Sequence, residues 1–206
     1  CGPNLWPEDA GWRAELLALM ADLEAIGAEV LRLFAAEFGY VVDGERPFSL
    51  LKLIHYLSPG GTPRPGVAAH VDFSWLTLLV QDAAGGLEVR GPDGMWRAAE
   101  PVPGALVVNT GEILQFVTGG RLVATPHRVM SRGPRISLPL FVNPGFDSWI
   151  GPTRASLWRE EPGEVEHVHR VLALSETRPF AFGAAEHRRK VEGVWCRTCC
   201  AATATR

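Results

Sequence analysis

Between Phe48 and Pro144 the chain consists of short runs of Val, Leu, Ile and Phe separated by turn-forming clusters, and this texture constrains its fold more than any other feature. The clusters are Ser58-Pro59-Gly60-Gly61, Ala84-Gly85-Gly86, Gly91-Pro92-Asp93-Gly94 and Gly119-Gly120. Gly, Pro and Asp favour backbone angles that regular elements avoid, so each cluster ends one element and turns the chain toward the next. The runs between them predict strands over Leu50–Leu57, Val67–Asp72, Leu76–Gln81, Leu87–Arg90, Trp96–Ala98, Ala105–Asn109, Ile113–Phe116, His127–Ser131 and Ile136–Val142. Many short strands with closely spaced turns make a sandwich or barrel rather than a βαβ sheet.

Ahead of the strands the period changes. Leu16, Leu19, Met20, Leu23, Ile26, Val30, Leu33, Phe34 and Phe38 recur at three- and four-residue intervals, which places them on one stripe of a helix. Pro7, Glu8 and Asp9 suit a first turn and Gly39 a C-terminal cap. One long helix, or two in series, should therefore pack over a sheet.

The 206 residues are 47% hydrophobic and 21% charged, enough for one substantial core and too mixed for a membrane helix, which needs roughly 18 apolar residues in a row. The net charge of −3 includes no basic block, which argues against a nucleic-acid partner. No signal peptide is read at Cys1-Gly2-Pro3, and the expected location is cytoplasmic. Residues 1–153 carry 11 Lys/Arg against 16 Asp/Glu, whereas residues 154–206 carry 9 against 7. That shift coincides with the loss of strand pattern, so 1–153 is expected to form the domain and 154–206 a C-terminal extension. Within the extension, 188–206 has few large apolar residues and reads as a mobile tail. Its Cys196, Cys199 and Cys200 suggest no disulfide framework and lack the second ligand pair of a zinc site.

Two constellations carry chemistry. His70 and Asp72 stand two apart in a predicted strand, where side chains alternate, so both project from one face toward a common ion. His127 follows 55 residues later in Thr125-Pro126-His127-Arg128-Val129. Two imidazoles and a carboxylate on one side of a metal leave positions open, an arrangement that suits oxygen-activating iron(II), although zinc accepts the same ligands. Arg135 and Ser137 are again two apart on a strand; a guanidinium fork with a neighbouring hydroxyl is a receptor for a carboxylate.

The run from Leu53 to Pro144 resembles the isopenicillin N synthase-like branch of the iron(II)/2-oxoglutarate-dependent dioxygenases. The resemblance is carried, in order, by Leu53-Ile54-His55-Tyr56, His70-Val71-Asp72-Phe73, Leu76-Thr77-Leu78-Leu79, Gly85-Gly86-Leu87-Glu88-Val89, Gly94-Met95-Trp96, Pro103 through Glu112, Thr125 through Val129, and Arg135 through Phe141. It implies a double-stranded β-helix, a jelly roll of two facing sheets. It also implies that His70, Asp72 and His127 hold iron(II) and that Arg135 and Ser137 hold the distal carboxylate of 2-oxoglutarate. Asn109 and Gly111 resemble the family's turn between strands. Tyr56 matches a Tyr that either reaches the bound carboxylate or simply packs. The implied reaction uses O2, releases succinate and CO2, and hydroxylates, desaturates or cyclises a small substrate.

The chain departs from the family in three places. Leu57 stands where plant-type members carry a further Tyr, and the His127–Arg135 spacing of eight is short. Members also begin with a segment that completes the sheet, whereas here the match begins at the long helix. Two rival functions remain at this stage: an iron oxidase of the same fold that uses no 2-oxoglutarate, and a non-catalytic, truncated β-sandwich module.

Overall fold

The computed structural model describes residues 6–8, 11–40, 47–57, 61–145, 148–150 and 180–181. The expectations for the 188–206 tail and its cysteines lie outside the described residues, as does most of 154–206.

Helix α1 (Arg13–Phe38) is continuous and ends at Gly39, whose φ of 71° turns its N–H onto the Ala35 carbonyl at 2.9 Å. Gly takes this left-handed conformation without steric cost, which fixes the cap where the sequence placed it. The helix starts later than predicted, at Arg13 rather than Pro7. Trp6 instead packs its ring against Trp12 at 5.7 Å and beneath the Arg13 guanidinium.

The strands are β1 (Phe48–Leu51), β2 (Ile54–Tyr56), β3 (Arg64–His70), β4 (Leu76–Gln81), β5 (Leu87–Arg90), β6 (Trp96–Ala98), β7 (Val107–Thr110), β8 (His127–Ser131), β9 (Arg135–Asn143), β10 (Trp149–Ile150) and β11 (Phe180–Ala181). A short helix, α2 (Glu112–Val117), follows β7. One antiparallel sheet has the order β1-β9-β4-β7, with β2 also on β9; a second has the order β3-β8-β5-β6; β10 and β11 form a separate ribbon. These are the two sheets of the expected jelly roll.

Three predicted elements change. The single strand Leu50–Leu57 is two, because β9 carries Pro139: Lys52 N–H donates to the Pro139 carbonyl, and Pro139 has no N–H to return. The predicted strand Ile113–Phe116 is helix α2, with Ile113, Leu114, Phe116 and Val117 all buried. An apolar run that short has no periodicity to tell a buried helix turn from a strand. Asp72, predicted inside a strand, lies two residues past the end of β3.

Alternation along β4 sorts its residues to two environments. Leu76 and Leu78, with Leu140 and Val142 of β9, face the α1 side and meet Leu23 and Leu31 in the main core. Each such Leu, fully buried, contributes about 1.5–3 kcal/mol. Gly27 lets α1 approach closely, since a Cβ there would lie 3.0 Å from Val142 Cγ2. The other face of β4, with Thr77, Leu79 and Gln81, looks into the space between the sheets. A smaller apolar cluster of Tyr56, Leu87 and Val129, flanked by Leu79 and Val107, joins the sheets there.

Gly111 sets the junction between β7 and α2. Its N–H bonds the Trp75 carbonyl, and a Cβ at 111 would fall 1.9 Å from the Ser74 carbonyl oxygen. Gly111→Ala should therefore lower stability by about 1–3 kcal/mol or more through overpacking against backbone. Chemical denaturation checks this, with Gly133→Ala as the comparison: a Cβ at 133 meets nothing within 4 Å, and that variant should unfold like the parent.

Candidate active site

The pairing of β3 with β8 sets His70 directly opposite His127, after two register shifts along β3. Their ring centroids are 4.3 Å apart. Asp72 reaches the same place from the irregular segment after β3, where its carbonyl accepts the Glu112 N–H at the start of α2. His70 Nε2 lies 3.5 Å from Asp72 Oδ1, and His127 Nε2 lies 3.7 Å from Asp72 Oδ2. One ligand atom from each of the three residues fits within 4.8 Å of the others. The sequence therefore chose residues that do meet, although it assigned Asp72 to the wrong local structure.

The surroundings fix which atoms are available. His70 Nδ1 faces the Ala68 carbonyl at 2.8 Å and His127 Nδ1 faces the Thr125 carbonyl at 3.0 Å. Carbonyls only accept, so each ring carries a hydrogen on Nδ1 and turns Nε2 toward the centre. Thr77 Oγ1 donates to Asp72 Oδ2 at 2.7 Å and Asn109 Nδ2 donates to the same oxygen at 3.0 Å. Thr77 and Asn109 are opposite each other in the β4–β7 ladder, which aims both donors at one oxygen. Asn109 Nδ2 is also 3.4 Å from His127 Nδ1. With that ring hydrogen committed to Thr125, the approach is packing between two donors.

Asn109, which the sequence reading took as part of a turn, thus touches the Asp72 carboxylate. Thr77 was not singled out either. Its position on the inner face of β4, opposite the Asn of the Asn-x-Gly turn, was the available signal. The segment before His127 is tied down separately: Ala124 N–H donates to Gln115 Oε1 at 2.6 Å and Thr110 Oγ1 to the Val123 carbonyl at 2.6 Å.

The electrostatics suit a cation. Burial pushes the Asp72 carboxyl up, but at low pH the protonated His70 and His127 rings, together with the Thr77 hydroxyl, outweigh it and hold the pKa at about 2. Burial pushes His127 below the ordinary histidine value, so its imidazole is neutral at pH 7. A buried carboxylate and inward-turned imidazole nitrogens leave acceptors facing one another, and a positive charge between them relieves that.

The second constellation lies on β9, on the inner face of the sheet that also carries Thr77. Arg135 is 1% exposed and Ser137 2%, so neither is the surface residue its type usually is. Tyr56, opposite Arg135 in the β2–β9 ladder, holds its ring 4.9 Å from the guanidinium carbon. Arg135 Nη2 donates to Gln81 Oε1 at 3.1 Å, while among the described residues Nε and Nη1 have no hydrogen-bond partner. A buried guanidinium with two unmatched nitrogens fits an incoming carboxylate. Gln81 is a further residue that sequence reasoning did not single out.

Comparison with known proteins identifies the class. The model of the 2OG-Fe(II) oxygenase superfamily matches residues 48–144, and the chain belongs to that family. A 2-oxoglutarate-dependent dioxygenase of Gibberella zeae is 37% identical over 172 residues, covering 69% of this chain and 45% of its own length. A feruloyl CoA ortho-hydroxylase of Ipomoea batatas is 34% identical over 198 residues, covering 91% of this chain and 54% of its own. The structure of a full-length Neurospora crassa protein in complex with alpha-KG superposes with a TM-score of 0.72 at 26% identity, over 92% of this chain and 62% of that one. The chain spans about half the length of the curated relatives it matches.

The protonation states give a pH prediction. Cobalt(II) affinity should be level from pH 8 to 7 and fall at acid pH, where protons compete for imidazole nitrogen. Asp72 should add no proton competition until far lower pH, because its carboxyl titrates near 2. Removing its two donors, in Thr77→Val with Asn109→Ala, should weaken cobalt(II) by about 10- to 100-fold at pH 7.5. Isothermal titration calorimetry measures both effects.

Proposed function

We propose that this chain carries the catalytic centre of an iron(II)- and 2-oxoglutarate-dependent dioxygenase acting on a small organic substrate. In this reading His70, Asp72 and His127 hold the metal, and Arg135 and Ser137 hold the distal carboxylate of 2-oxoglutarate, with Tyr56 packed against Arg135. Residues 1–153 form the oxygenase domain and 154–206 an extension. The reaction consumes O2 and 2-oxoglutarate, releases succinate and CO2, and leaves the substrate hydroxylated, desaturated or cyclised. An iron(II) centre suits the reducing cytoplasm.

The observation that carries the reading is that one inner sheet face touches both half-sites. Thr77 touches the metal-ligand Asp72 and Gln81 touches Arg135, and these two residues of β4 lie four apart on the same face. Four strand residues span about 13 Å. A metal at one end and a guanidinium at the other bracket a short dicarboxylate whose keto acid end can chelate. Bound iron supplies the oxygen-activating redox chemistry. The protein's own groups then have separable tasks. Thr77 and Asn109 fix the carboxylate rotamer, the Ala68 and Thr125 carbonyls fix both imidazoles, and Arg135 receives a charge that would otherwise be poorly solvated. Leu79, Val107 and Tyr56 keep the intervening space apolar.

Among the described residues no helix is long and apolar enough to cross a membrane.

The reading is tested by adding iron(II) and then 2-oxoglutarate without oxygen, and following the weak visible band of the chelate. The parent should saturate with one equivalent of each. Arg135→Ala should keep iron affinity and lose on the order of a hundredfold or more in 2-oxoglutarate affinity, the effect of removing one partner of a buried charged pair. Unchanged affinity in Arg135→Ala would remove 2-oxoglutarate from this pocket.

A further inference from the structure

Gln81 has no role in the reading above beyond contact with Arg135. Its position is unusual in one respect. Arg135 is almost completely buried, yet the side chain that accepts its Nη2 hydrogen is a neutral amide rather than a carboxylate. Gln81 is itself held, since its Nε2 donates to the Ala99 carbonyl, next to β6 of the opposite sheet, at 3.4 Å. The amide orientation is thereby set, with nitrogen to Ala99 and oxygen to Arg135. Tyr56 covers the guanidinium with its ring, which attracts the cation but carries no net charge. Among the described residues Arg135 therefore has its direction fixed by two neutral neighbours, and Nε and Nη1 keep unmatched hydrogens.

A buried Arg is ordinarily paired with an acid, because an unneutralised charge in a low dielectric is costly. Here the cost is left standing. We propose that Gln81 is a positioning and specificity-determining residue that orients Arg135 without neutralising it, so that the pocket at this end of the cleft requires a carboxylate from the ligand. The inference rests on the reading of Arg135 as the receptor for the distal carboxylate.

It makes an unusual pair of predictions for Gln81→Glu, a change of amide to carboxylate at nearly constant volume. An internal acid in place of Oε1 supplies the missing counter-ion, so the ligand-free protein should become more stable. The same acid occupies the charge that the ligand's carboxylate would have used, so 2-oxoglutarate should bind more weakly. Gln81→Met removes the acceptor without adding charge. It should lower both stability and affinity, because the guanidinium is then neither oriented nor neutralised.

The experiment compares parent, Gln81→Glu, Gln81→Met and Arg135→Ala. Thermal unfolding is measured without metal or co-substrate, and 2-oxoglutarate binding to the iron(II)-loaded protein is measured without oxygen. The inference expects Gln81→Glu to melt above the parent while losing at least tenfold in 2-oxoglutarate affinity, at unchanged iron affinity. A purely structural Gln would give the opposite coupling, with melting temperature and affinity falling together in Gln81→Glu as in Gln81→Met, and that result overturns the proposal. So does a Gln81→Glu variant that binds 2-oxoglutarate as the parent does while Arg135→Ala does not. If Arg135→Ala itself binds normally, the co-substrate reading fails first and this inference with it. Calorimetric titration of the same four proteins with cobalt(II) shows whether the metal half-site is intact in each.

Discussion

The candidate centre depends on keeping one carboxylate ionised in a largely buried place. Asp72 is 5% exposed, and burial alone would drive it toward the neutral acid. The protonated His70 and His127 rings and the Thr77 hydroxyl reverse that outcome. Thr77 and Asn109 saturate one carboxylate oxygen, and the other faces His70. Each donor is placed by the β4–β7 ladder, and each imidazole by the pairing of β3 with β8. A register slip of one residue in either ladder would turn a donor or a ligand to the wrong face, so the centre is as precise as the sheet pairing beneath it.

The same sheets divide labour between their faces. The side of the β1-β9-β4-β7 sheet under α1 is dry and closely packed, with Leu76, Leu78 and Leu140 fully buried and Gly27 admitting the helix. The inner side gives up much of that apolar packing to Thr77, Gln81, Arg135 and Ser137. Stability is therefore concentrated on one face, which frees the other to hold groups that would be liabilities in a core. Arg135 is the clearest of them. Among the described residues two of its nitrogens have no hydrogen-bond partner, a cost to the ligand-free protein, and on the proposed reading that unmet demand makes the position selective for an anion.

Much of this was legible in the sequence, for reasons that differ by residue. β4, β5, β6 and β8 match their predicted bounds because turn residues flank or closely follow them. His70, Asp72 and His127 were identified as a set, but the physical ground offered for His70 and Asp72, alternation along one strand, does not hold past the end of β3. They meet because two register shifts bring His70 opposite His127 and because the loop carrying Asp72 is tied to α2. α2 itself was misread as a strand, since four buried apolar residues carry no period. The site contacts of Asn109, Thr77 and Gln81 escaped notice because they arise from partners 37, 5 and 54 residues away, brought together by strand pairing.

The central claim is that one cation sits between His70 Nε2, Asp72 and His127 Nε2. Its most direct test is a crystal structure of the protein grown with iron(II) in the absence of oxygen, with anomalous data at the iron edge. The account predicts a single strong peak about 2.0–2.2 Å from both Nε2 atoms and one Asp72 oxygen, with Thr77 and Asn109 still on Oδ2. A peak at any other residues, ligation through Nδ1, or no peak at saturating iron would contradict it.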